Sequence, residues 1–163
     1  MKTIFVVLSF IVFFLNASLV NCQSDLSIFD DFVGKEWIGH YQDSEDSLLV
    51  HTIEWGYDLN KQVVKEIKVV PEVNFLCETY FYWDYETAQI SYLSLMNKKM
   101  ISKGKAILEN GRLMLTGKTF FPEGVQENKK TYEINKNGEL ADHFYRRSKG
   151  IWVMGHFIIY VEQ

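Results

Sequence analysis

Few residues of this chain have the type and spacing to do chemistry, and the histidines come first. His51 lies in "LLVHTIEW", where a period of two puts it on one face with Leu49, Ile53 and Trp55. On an inward face it serves either as a polar anchor for a ligand head group or as a core histidine bonded to a neighbour. His40 alternates away from Trp37 and Gly39 and points outward. His143 sits in "ADHFYRR", where Phe144 and Tyr145 compete for the inward side. Arg146 and Arg147 are adjacent, so one of them faces inward, to meet a carboxylate or to sit at a mouth. Asp30/Asp31 and Glu45/Asp46 are acidic pairs, but glycosidase-type work needs two carboxylates facing each other across a cleft. No Gly-x-Ser-x-Gly elbow, His-Glu-x-x-His run, phosphate-binding glycine loop or dinucleotide fingerprint occurs. No Cys/His spacing suggests a zinc site, and no cofactor is expected.

Aromatic residues are the second resource. In "NFLCETYFYWD" alternation places Phe75, Cys77, Thr79, Phe81 and Trp83 on one face. Leu113, Leu115, Gly117 and Thr119 share another. These rings and aliphatic groups either line a ligand cavity or pack as core. The candidate ligand-binding set is Trp37, Tyr41, His51, Trp55, Phe81, Trp83, Leu113, Leu115, Tyr145 and Arg146.

Such residues need a frame, and the chain is punctuated for one. After Gln23, Ser27 can cap a short helix whose apolar stripe is Ile28, Phe29, Phe32 and Val33, with Gly34 ending it. Everything downstream reads as strands: Glu36–Gln42, Leu48–Trp55, Gln62–Val69, Asn74–Asp84 and Gln89–Leu95, then Met100–Glu109, Arg112–Phe121, Glu127–Ile134, Glu139–Arg147 and Ile151–Val161. "ENGR" is an Asn-Gly hairpin, and "FPEGVQ", "NKNGE" and "RSKGI" carry turn glycines. About ten strands without intervening helices form too long a sheet to lie open, and closure removes the exposed edges. The expected fold is all-β: an up-and-down antiparallel β-barrel of about 8–10 strands with a short N-terminal helix. Met100, Ser102, Gly104, Ala106 and Leu108 give it an unusually small-residue interior face. Ile151–Val161 is apolar on both faces, so alternation assigns it no sides.

Residues 1–22 read as a secretory signal peptide, leaving 23–163 as one domain. Lys2 supplies the positive start, and Ile4 to Leu15 is an almost unbroken apolar run, short for a bilayer of roughly 30 Å. Cys22 has two readings. Val20 and Cys22 fit the small-residue cleavage pattern, and "LVNC" resembles a bacterial lipoprotein box in which Cys22 would carry lipid. The protein is expected to be exported, secreted or periplasmic, and held at a membrane only if Cys22 is lipidated. The whole chain has a formal charge of −4, and removing the leader, whose one charged residue is Lys2, makes it more acidic. That argues against nucleic acid as a partner. Cys77 is the one cysteine that remains as a thiol after processing on either reading. A lone thiol forms no internal disulfide, so a core rather than disulfides must hold the fold.

"FVGKEWIGHY" is similar to the Gly-x-x-Trp-x-Gly signature that opens the lipocalin/fatty-acid-binding (calycin) superfamily, here Gly34, Trp37 and Gly39. The remainder resembles bacterial secreted lipocalin-like families of unknown function. Those share a "FYWD"-type strand, an "NGRLMLTGK"-type hairpin and a late Gly-x-Trp, here Gly150 and Trp152. The resemblance spans Phe29 to the end. It implies a barrel with Trp37 in its floor, a sharp bend at Gly39 and a small apolar or amphipathic ligand inside. An inward Arg146 would then meet a carboxylate, as in fatty-acid-binding proteins. Some calycin barrels act on lipids enzymatically, though no pattern here supports an enzyme. The other reading is an envelope-associated protein whose barrel is filled by side chains. His156 in "VMGHFIIY" also resembles the last-strand haem ligand of nitrobindin-type barrels.

Overall fold

The computed structural model describes residues 26–42 and 48–163. The leader, Cys22 and the Glu45/Asp46 pair lie outside the described residues. Ten antiparallel strands follow one another: β1 Glu36–Tyr41, β2 His51–Asp58, β3 Val63–Val70, β4 Phe75–Asp84 and β5 Gln89–Met96, then β6 Met100–Glu109, β7 Arg112–Phe121, β8 Gly124–Ile134, β9 Leu140–Ser148 and β10 Ile151–Glu162. Each pairs with its sequence neighbours, and β1 pairs with β10 to seal the barrel. The expected all-β up-and-down barrel is what the chain forms.

Turn chemistry sets the registers. Asn110 and Gly111 adopt φ of 54° and 75°, the pair of positive values that a two-residue hairpin needs. Between β2 and β3 three consecutive residues, Leu59, Asn60 and Lys61, turn left-handed. β2 therefore ends three residues beyond the expected Trp55, at Asp58. Gly56, Tyr57 and Asp58 still pair with Lys65, Val64 and Val63. The Tyr57 hydroxyl then donates to the Leu26 carbonyl at 3.3 Å and to the Asp30 carboxylate, tying the N-terminal segment to the barrel end.

That segment corrects one expectation. In place of a helix over Ile28–Val33 there is a single 3-10 turn, Leu26–Phe29, running into further turns as far as Gly34. Six residues cannot repay helix nucleation by themselves; burial holds them instead. Leu26, Phe29 and Phe32 are all buried, and both phenylalanine rings lie against Trp55, at 5.9 and 5.3 Å. Gly34 does end the segment, with φ 78° and its N–H donated to the Trp55 carbonyl at 2.9 Å.

Gly39 has a different reason from the expected bend. A Cβ there would lie 2.5 Å from Tyr160 Cδ1 and 2.6 Å from the Ile159 carbonyl oxygen, because the Tyr160 ring covers the glycine across the β1–β10 seam. Gly39→Ala should therefore cost about 1–3 kcal/mol, the usual range for overpacking, seen as a lower urea midpoint. An unchanged midpoint would mean that the seam is looser than this.

In β10 the register shifts between Met154 and His156, leaving Gly155 as a bulge residue. Downstream of it, His156, Ile158 and Tyr160 turn inward opposite Phe144, Asp142 and Leu140. The bulge changes the phase of the strand, and the outward Phe157, Ile159 and Val161 are as apolar as the inward Ile158 and Tyr160, so alternation showed no single apolar face.

Candidate functional site

The barrel is packed at one end and hollow at the other. At the closed end Trp55 stacks on Phe81 at 5.3 Å and meets Tyr132 edge-on at 5.4 Å. Trp37, Leu113 and Ile158 complete that floor, all fully buried. Above it lies a cavity of about 520 Å³. Its outer part has an apolar arc formed by Val70, Phe75, Met96, Met100 and Phe121, with Lys98, Gln126 and Arg146 on the same rim. The apolar residues stand where β3 to β7 begin or end, so they border one side of the mouth.

Deeper, the wall turns polar. Thr79 and Ser94 share a hydrogen bond of 2.9 Å, and Ser102 and Thr119 one of 2.7 Å. Asn128 Nδ2 donates to both Ser102 and Thr119, while its Oδ1 accepts from the Tyr92 hydroxyl at 3.2 Å. The small residues noted on β6 make room for this network: Gly104 pairs with Gly117, and their backbones approach too closely for a Cβ on either. Burial pushes the Tyr92 hydroxyl up to about 12, so it remains a donor.

The opposite wall carries charge. Cross-strand pairing sets Glu66 beside Thr79 and Lys68 beside Cys77, and it sets Asp142 between Tyr132 and Ile158. All therefore face inward. Lys68 Nζ donates to Asp142 Oδ2 at 3.0 Å. Lys130 Nζ lies 3.6 Å from the same oxygen and 3.5 Å from Glu66 Oε1. The Tyr132 hydroxyl, itself a partner of Lys130, donates to Glu66 Oε1 at 2.8 Å. Burial opposes the charge on Asp142, but Lys130 and Lys68 outweigh it and hold the carboxyl well below its usual range. Burial likewise opposes the Lys130 ammonium, and Asp142 and Glu66 prevail to raise its pKa. Two cations thus share two carboxylates in a low-dielectric interior, an arrangement that stands only when complete.

Two histidines border this cluster. His51 is 2% exposed and meets Tyr41 edge-on at 4.5 Å. Neither of its ring nitrogens has a partner among the described residues. Burial, reinforced by the Lys68 charge, lowers its pKa to about 3. The folded barrel therefore keeps His51 neutral where the unfolded chain would protonate it. Its contribution to stability is complete above pH 6.5 and is lost as pH falls from there toward 3. A melting temperature that drops between pH 6.5 and 4.5, with a smaller drop in His51→Phe, is the expected result. Parallel curves would show that His51 plays no part.

The anticipated residues divide between the two halves. Tyr41, His51, Leu115 and Arg146 line the cavity. Trp37, Trp55, Phe81 and Leu113 belong to the packed floor, and Trp83 packs against it. Tyr145 is corrected outright: it cannot share a face with its neighbour Arg146. The inward phase of β9, set by Asp142, brings in Phe144 and Arg146 and leaves Tyr145 outside. His143, also outside, stacks on Phe157 at 4.3 Å. Glu66, Lys68, Lys130, Asp142 and Asn128 were missed.

His156 does face inward, but its surroundings do not fit a haem. Its Nε2 is buried 3.7 Å from Asp142 Oδ2, and Phe144 stacks on its ring at 5.1 Å. The nitrogen that would hold iron is turned to a carboxylate that also carries two lysines, where haem requires an apolar slot. Among the described residues no three of His, Cys, Asp and Glu are grouped to hold a metal ion. A closed ten-stranded antiparallel barrel is consistent with a calycin-like fold. No protein-family model and no curated protein matches the chain.

Proposed function

We propose that this chain is an exported binding protein that takes one small amphipathic molecule into the open half of its barrel. The apolar part of the ligand lies among Val70, Phe75, Met96, Met100 and Phe121. Its polar end meets the Lys68–Lys130–Glu66 wall and the hydroxyls of Ser94 and Ser102. The observation that carries this reading is the cavity itself, about 520 Å³, with an apolar arc on one side of its mouth and a polar wall within. Small-molecule sites have volumes of roughly 300–1,000 Å³ and combine an apolar lining with a few placed polar groups. A barrel filled by side chains, as a purely structural role would have it, leaves no such space.

Native mass spectrometry of the protein purified from its own source provides the test. A defined extra mass of a few hundred daltons, released on denaturation, is the expected result. A chain carrying no additional mass, from cells grown under several conditions, speaks against the reading. Export rests on the leader-like residues 1–22, with the two readings of Cys22 separated by Cys22→Ser. That change stops processing of a lipidated precursor and leaves ordinary cleavage intact.

A further inference from the structure

The polar end of the cavity is strongly charged and yet balanced. Lys68 and Lys130 bring two positive charges, Glu66 and Asp142 two negative ones, joined by contacts of 3.0–3.6 Å. No net charge is left over for an ion. What is left over is hydrogen-bonding capacity. Glu66 Oε2 is buried at the cavity wall with no donor among the described residues, and both nitrogens of His51 have no partner there. Both side chains are over nine-tenths buried, and both line the cavity. Lys68 and Lys130 line it too, and each ammonium has three N–H groups to share.

From this inventory we infer that the site selects an uncharged head group that both donates and accepts hydrogen bonds, a primary alcohol or carboxamide, over a carboxylate. Such a group donates to the free Glu66 oxygen and accepts from a lysine ammonium or from His51. A carboxylate accepts only. It would bring a third anion to a neutral cluster and lose its hydration without a cation to itself, a costly exchange in a buried site. An ammonium head fails in the mirror sense, against two cations already present. Two further cations line the cavity, Arg146 and Lys98. Both are exposed at the rim, Arg146 towards the end of β9 and Lys98 in the turn after β5, where it donates to the Val73 carbonyl, so neither enters the buried cluster. Selection against the acid runs opposite to what the resemblance to fatty-acid-binding proteins implies.

This inference rests on the binding reading above, and the experiment separates the two. Uncharged N-phenyl-1-naphthylamine fills the cavity as a fluorescent probe. It is then displaced at pH 7.5 by 1-decanol, decanamide, decanoate or decylammonium below their aggregation limits. The wild-type protein should release the probe to decanol and decanamide at concentrations at least ten-fold lower than to decanoate. Glu66→Gln leaves one cation in excess, and decanoate should then gain at least ten-fold relative to decanol. Lys130→Met leaves one anion in excess, so decylammonium should gain by a similar factor; it provides the same test should Glu66→Gln fail to fold. Decanoate equal to or better than decanol on the wild-type protein overturns the inference while leaving the binding reading intact. So does an unchanged order of preference in a folded variant. A probe that never binds removes both.

Discussion

Asp142→Ala should destabilise the barrel by about 3–5 kcal/mol, the usual loss when one partner of a buried ion pair is removed. The reason lies in the sharing of one oxygen. Asp142 Oδ2 is within 3.6 Å of both Lys68 and Lys130, and the Asp142 side chain is fully buried. Without it, two ammonium groups face Glu66 alone. The loss should be read from urea unfolding at pH 7. A deficit below about 1 kcal/mol, the range of exposed pairs, would show that water reaches the cluster freely. Asp142 also sets the acid limit of the fold. Its pKa is depressed in the barrel, so its stabilisation is present above the ordinary carboxyl value near 3.8 and disappears as pH falls below it. Wild-type stability should therefore keep falling below pH 4, after the His51 contribution has largely gone, and Asp142→Ala should lack that last component.

Trp55→Ala should cost about 3–5 kcal/mol, as aromatic truncations in a packed core do. Trp55 is 1% exposed and contacts Phe29, Phe32, Phe81 and Tyr132. Those contacts join the N-terminal segment to both walls, so the truncation should also free that segment, seen as faster amide exchange at Phe32 and Val33. Met100→Ala, by contrast, enlarges a space that is already open and should cost about 1 kcal/mol or less, close to the range of surface changes. The contrast is the informative quantity. Equal losses at the two positions would mean that the barrel is packed throughout and has no hollow half.

Strand number, order and facing were legible in the sequence because antiparallel neighbours alternate and turn residues declare themselves. "ENGR" located one hairpin, and the row Phe75, Cys77, Thr79, Phe81 gave the inner face of β4. Less was legible where the signals conflicted. In "VVKEIKVV" one face reads Val63, Lys65, Ile67 and Val69 and the other Val64, Glu66, Lys68 and Val70. The more apolar face is the outer one, so alternation alone does not say that Glu66 and Lys68 turn inward. Pairing does: Lys68 lies opposite Cys77 and Glu66 opposite Thr79, and residues so opposed share a face. The inner face of β4 thus carried the charged cluster implicitly, one strand away. Asp142 required long-range registry between β8, β9 and β10, and the Gly155 bulge broke the period that would have supplied it. The three inward tryptophans and Phe81 were legible as interior. Which end of the barrel they fill depends on the N-terminal turn settling beneath them, and no local pattern reveals that.

Filling the proposed hollow tests the central claim most directly. Ser102 faces the cavity on β6, and Ser102→Phe places a ring in that space. Titrated with N-phenyl-1-naphthylamine, the wild-type barrel should show saturable binding at one site per chain. The Ser102→Phe barrel, with an unaltered circular dichroism spectrum, should show at least ten-fold weaker binding. Saturable binding of equal strength in the two proteins, or none in the wild type, would contradict a ligand site inside the barrel.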